Sequence, residues 1–133
     1  MSYPQTVPNS EQIGVVHLGG QAQFVQYAYA NPATVALAHI VPAASVPTGY
    51  QVAVLSIMLS SIGTASGNFQ DTASTPNVLS GTFNMVAGTQ VNAQLGGCGL
   101  FMTAPGKGLD WNQTVGSVAV GITVSWCLFQ PVS

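Results

Sequence analysis

The stretch 118-VAVGITVSWCL-128 alternates without a break: Val118, Val120, Ile122, Val124, Trp126 and Leu128 fall on one face, and Ala119, Gly121, Thr123, Ser125 and Cys127 on the other. Side chains that repeat every two residues belong to an extended chain, so this stretch predicts one strand of about ten residues with its first face in a core. The same period runs through Thr89 to Leu95, where Val91, Ala93 and Leu95 oppose Gln90, Asn92 and Gln94. It returns in Thr82 to Val86, where Phe83 and Met85 oppose Thr82 and Asn84. Joined through Ala87-Gly88, these two segments read as a hairpin.

Tyr50 to Ile62 is nearly all apolar, with Ala53, Leu55, Ile57 and Leu59 on one side and Val52, Val54 and Met58 on the other. Such a strand is covered on both faces, in an interior or at an interface between subunits. With 17 Val, 15 Gly and 15 Ala, and short apolar segments separated by Gly, Pro, Asn and Ser, the chain is predicted to be all-β: an antiparallel β-sandwich or jelly roll. Val46-Pro47-Thr48-Gly49 reads as a type I turn and Ala104-Pro105-Gly106-Lys107 as a type II turn. Residues 63–77, GTASGNFQDTASTPN, read as a long loop holding Phe69 and Asp71, of a length usually tied to function. Neither a repeat nor a shift in composition divides the chain, so residues 13–133 are taken as one domain. Residues 1–12 form an extended Pro-rich arm, because Pro4 and Pro8 oppose both helix and central strand.

Charge is the scarcest commodity. Glu11, Asp71, Lys107 and Asp110 are the only Asp, Glu, Lys or Arg residues, where an ordinary domain devotes about a quarter of its chain to them. The polar surface must come from 12 Ser, 11 Thr, 7 Asn and 11 Gln. One Lys gives nucleic-acid binding through phosphates no electrostatic source. Three carboxylates leave too small an inventory for catalysis, and the expectation is a protein that is not an enzyme and uses no metal or cofactor. His17 and His39 lie in apolar segments and read as structural histidines. Gly96-Gly97-Cys98-Gly99 frames a thiol without supplying a base, and Gly106-Lys107-Gly108 fails as a phosphate loop because Phe101 and Gly108 stand where Gly and Ser or Thr are required. Lys107 and Asp110 are expected to pair on an exposed turn, worth ~0 to 1 kcal/mol.

Residues 1–11 carry neither a basic nor an apolar leader segment, so no secretory signal is expected. The best apolar run, Val35 to Val46, is too short to span a membrane as a helix and is interrupted by His39 and Pro42. Cys98 and Cys127 are expected as buried thiols, with a disulfide left open. A net charge of −2 and 63 apolar residues offer little colloidal repulsion and more apolar surface than one small core needs, so the chain reads as a subunit packed against neighbours. The candidate contact residues are Tyr3, Pro4 and Pro8 on the arm, Tyr27 and Tyr29 on one strand face, Phe69 and Trp111, because Tyr and Trp suit partly wet contacts. Trp126 and Phe83 are read as core.

Val46-Pro47-Thr48-Gly49 followed by the apolar run Tyr50 to Leu59 resembles a turn and long buried strand of small β-sandwich structural proteins of tailed bacteriophages. Gly106 to Trp111, then Gly116 through Trp126, resembles the closing loop and strand of such proteins, and the likeness covers roughly Ala33 to Phe129. Where those proteins carry Lys or Arg after the turn, this chain has Tyr50 and Gln51. The resemblance implies a virion component: a capsid decoration or cement protein, a homo-oligomer expected to be a trimer, bound to a major capsid protein. It implies equally a module of a tail fibre or spike, whose exposed aromatics would stack on sugars. A cellular carbohydrate-binding or adhesive β domain is the third reading. The arm and the 63–77 segment are expected to make contacts between subunits or with a shell.

Overall fold

The alternating C-terminal stretch forms the central strand of the larger of two sheets. The computed structural model describes residues 12–18, 21–94 and 99–131, as ten strands: β1 (Gln12–Leu18), β2 (Gln21–Ala30), β3 (Leu37–Val41), β4 (Gln51–Ser61), β5 (Ala65–Asp71), β6 (Phe83–Met85), β7 (Gln90–Gln94), β8 (Phe101–Met102), β9 (Leu109–Val115) and β10 (Val120–Phe129). The larger sheet runs β1-β2-β10-β4-β7, with β8 also on β4, and the smaller runs β3-β9-β5-β6. Every pairing is antiparallel. The pairs nest, β2 with β10, β3 with β9, β4 with β7 and β8, β5 with β6, as if one long hairpin were rolled into two layers. That nesting is the wiring of a jelly roll, and the chain is an antiparallel β-sandwich.

The core lies between the sheets. Val120, Ile122, Val124 and Trp126 of β10 stand beside Val52, Val54, Ile57 and Leu59 of β4 and meet Val41, Phe69, Met85, Leu109 and Trp111 from the opposite layer. Phe69 sits at the centre of an aromatic cluster, with ring centroids 5.1 Å from Trp111, 5.5 Å from Phe101 and 6.1 Å from Phe83. The pairs with Trp111 and Phe83 are edge-on, a geometry that adds about 0.5–1.5 kcal/mol beyond the area buried.

Four readings from the sequence are corrected by long-range pairing. Strand β4 carries a bulge, since Ser125 pairs with Ser56 while Trp126 pairs with Val54, leaving Leu55 as the extra residue. Val52 and Val54 therefore share the inner face with Ile57 and Leu59, and Ala53 and Leu55 turn outward. The segments Thr82 to Val86 and Thr89 to Leu95 are no hairpin: β6 pairs with β5 and β7 with β4, so the turn at Gly88 (φ 85°) carries the chain from one sheet to the other. Residues 65–71, expected within a loop, are β5 in the middle of the smaller sheet. Their small residues follow from packing, because a Cβ on Gly67 would overlap the Trp111 ring. The turn after Val46 closes one residue later than expected: the Tyr50 N–H donates to the Pro47 carbonyl (3.0 Å), with Gly49 at φ 85°. The turn at Pro105-Gly106 is as expected, closed by the Lys107 N–H on the Ala104 carbonyl (3.1 Å), with Gly106 at φ 74°.

Candidate functional site

Outward-facing residues of the larger sheet line up across strands. Tyr27, Ser125, Ser56 and Gln94 make one row; Tyr29, Thr123, Met58 and Asn92 the next; Gly121, Ser60 and Gln90 a third. No member carries a charge. Tyr29 is 71 % exposed and Met58 57 % exposed, while Ser56 and Ser125 share a hydroxyl hydrogen bond in the first row. In the third row Gly121 leaves a notch in a central strand, where a Cβ would press on the Ser60 hydroxyl. Around it lies an open cleft of about 350 Å³, with Tyr29 and Met58 on its walls and the amides of Asn31, Gln90 and Asn92 at its rim.

The other half of the same face is closed. Ala53, Leu55 and Cys127 are buried outside the main core, packed with Val25, Met102 and Phe129. Two-sided burial of β4 thus holds for its first half only. Desolvation there pushes the free Cys127 thiol up to about 11, out of reach of thiolate chemistry at neutral pH.

A second cleft, of about 460 Å³, opens between β2, the end of β3 with Pro42 and Ser45 at the 3₁₀ turn Ala43–Ser45, and β10. Tyr27 and Tyr29 flank it, Ala28, Ile40 and Val41 supply apolar wall, and Gln26 and Ser45 supply polar groups. Trp126 also lines it, is only 7 % exposed, and holds its indole Nε1–H away from water with no acceptor. A buried donor left unpaired costs about 1–3 kcal/mol. Among the described residues it is the only buried side-chain N or O atom without a partner.

The far end of the sandwich is bound together by Asp71. This fully buried carboxylate accepts four hydrogen bonds, from the N–H groups of Ala73 (3.2 Å), Asn77 (2.9 Å) and Ala104 (3.2 Å) and from the Asn77 amide (2.7 Å). Burial alone would raise its pKa, but the Asn77 side chain and the three backbone donors outweigh it and hold the carboxyl below the ordinary value. Thr72 and Thr103 extend the knot, through Gly108 N–H to Thr72 Oγ1 (2.8 Å) and Val52 N–H to Thr103 Oγ1 (3.0 Å). Every oxygen of this group is occupied in holding loops, so its role is architectural.

The expected contact residues separate. Tyr27 and Tyr29 share the outer face of the larger sheet; both border the second cleft, and Tyr29 also borders the first. Phe69 and Trp111 are corrected: both are 0 % exposed in the core and unavailable for surface contact, because β5 and β9 are paired central strands rather than loops. Tyr3, Pro4, Pro8 and Cys98 lie outside the described residues, as does the side chain of His17. Asp110 does not pair with Lys107 on a turn: it is buried on β9, and its Oδ1 lies 2.6 Å from Nδ1 of the exposed His39 across the ladder. Met58, Thr123, Asn92 and Trp126 were missed as site residues, since only cross-strand register sets them beside Tyr29 and Tyr27.

Among the described residues, no three His, Cys, Asp or Glu side chains gather as a metal site, and no helix is long and apolar enough to cross a membrane. No family model matches the chain, and no curated protein matches it.

Proposed function

We propose that the protein is a non-enzymatic structural subunit, a virion decoration or cement protein that acts as a symmetric homo-oligomer, expected to be a trimer, on a shell of major capsid protein. The observation that carries this reading is the outer face of the larger sheet, three cross-strand rows without a charge and with Tyr29 and Met58 exposed. Contact cores are depleted in charge and enriched in Tyr and Met, and closely packed copies of an uncharged face meet no like-charge repulsion. Jelly rolls serve viral capsids and lectins alike, so the wiring is compatible with this reading without selecting it.

The test is the solution mass of the chain by light scattering at low salt and at about 1 M, where screening shortens the Debye length to ~3 Å. A salt-resistant oligomer that Met58→Asp dissociates without unfolding is the expected result. A monomer at both salts would refute it.

The notch at Gly121 favours a second reading, a receptor-binding module of a tail fibre or spike. Tyr29 would stack on a neutral sugar ring while Asn31, Gln90 and Asn92 hydrogen-bond its hydroxyls. Retention of a neutral glycan by the native chain, lost in Tyr29→Ala, is the outcome that would select it.

A further inference from the structure

We propose that β7 pairs edge to edge with β7 of a second copy of this chain, antiparallel and centred on Asn92, so that two larger sheets join across a two-fold axis. The contact lies at the edge of the sheet and goes beyond the outer-face contact proposed above. β7 ends the larger sheet opposite β1, and among the described residues no strand pairs with its far side. Folded chains guard such edges with charge, proline or a bulge. Gln90–Gln94 holds neither charge nor proline, and its register with β4 runs from Ser60 to Ser56 without a shift.

The backbone shows which groups the edge offers. The Ser61 N–H donates to the Thr89 carbonyl (3.1 Å) and the Gly88 N–H to the Ser61 carbonyl (2.9 Å), so Ser61 turns its backbone groups towards β7. Backbone groups alternate sides along a strand, so Leu59 and Ile57 do the same and are met by their pair-mates Val91 and Ala93. Gln90, Asn92 and Gln94 consequently direct their N–H and C=O groups away from β4, along the open edge.

That pattern is self-complementary. With Asn92 opposite Asn92 of the other copy, Gln90 falls opposite its Gln94 and Gln94 opposite its Gln90, and each of these pairs can exchange two backbone hydrogen bonds. Their side chains stand together on the outer face. A carboxamide both donates and accepts, so identical residues can meet across the axis where identical charges would repel. On the inner face Val91 meets Ala93, and both are half-exposed although they pack on the core. The chemistry that fits this edge is that of the edge itself.

The test reads backbone amide exchange in the full chain, with its mass by light scattering. The amides of Gln90, Asn92 and Gln94 should exchange about tenfold or more slowly in the native chain than in Asn92→Lys, while those of Val91 and Ala93, already bonded to β4, stay unchanged. Asn92→Lys, shown folded by a cooperative urea transition, should halve the mass, and an equimolar mixture with Asn92→Asp should restore both mass and protection. Met58→Asp, which probes the outer face, should leave the protection in place, so the two contacts are read separately. Free exchange of the three amides in the native chain would overturn the proposal. So would their protection in a chain of monomer mass, which would put part of the same chain on the edge.

Discussion

Asp71 and Trp126 are both polar groups shut away from water, and the fold treats them in opposite ways. At one end of the sandwich the Asp71 carboxylate accepts four hydrogen bonds from two loops. At the edge cleft the Trp126 N–H has none. The first arrangement is what a stable fold requires of a buried charge, since an unpaired one would cost several kcal/mol. The second is a local debt of a kind that folded chains rarely carry. The difference separates a buried polar group that the fold satisfies from one that it leaves unpaired, in a molecule whose composition offers almost no charge by which to tell them apart. Cys127 lies between the two: buried among apolar neighbours, its weakly polar thiol asks for no partner.

The contrast can be broken most severely at Asp71. Asp71→Ala leaves four donors facing a void and is expected to destabilise the fold by about 3–5 kcal/mol, read as a lowered urea midpoint with unchanged slope. Acid should reproduce part of this loss. Because the folded carboxyl titrates below its ordinary value of 3.8, its stabilisation is complete above pH ~4 and disappears as the pH falls through the lower folded value. Asp71→Asn, less stable at neutral pH, should show a flatter stability profile between about pH 4 and 2; an equally steep profile would assign the acid sensitivity to another group.

Trp126→Phe makes the opposite prediction. It removes an unpaired N–H while keeping most of the ring, so stability should change by no more than about 1 kcal/mol, in either direction. A loss of 3 kcal/mol or more, roughly the cost of emptying a large core site, would show that packing rather than an unmet donor governs that position. The smallest effect concerns Cys127. In a Cys98→Ser background its thiol, pushed up to about 11, should resist an aromatic disulfide reagent at pH 8 until the chain is denatured. Fast reaction of the native protein would mean that the outer cluster around Ala53 and Leu55 opens.

Where local pattern and global packing agree, the fold was legible. Val120, Ile122, Val124 and Trp126 face inward as their alternation requires, and Val91 and Ala93 alternate with exposed Gln90, Asn92 and Gln94. Reading failed at residues 65–71, where small and polar residues mimic a loop because the bulk over Gly67 is supplied by Trp111 from another strand. It failed again at β4, where a bulge at Leu55 exchanges the two faces halfway along. Of the candidate contact residues that can be placed, Tyr27 and Tyr29 stand at the surface and Phe69 and Trp111 do not, a distinction no property of the residues themselves contains.

By itself the sequence determined an all-β chain, the positions of most of its strands and a surface that must work without charge, since period, turn chemistry and composition are local quantities. Tertiary structure alone decided which strands share a sheet, that β6 and β7 part company, that Tyr29 stands in one row with Thr123, Met58 and Asn92, and that the Trp126 N–H is left without an acceptor. The physical reason is that a period of two names two faces for each strand but no neighbour. Neighbours are chosen by contacts between residues far apart in the chain, such as Ser56 and Ser125, whose cooperation no local window records.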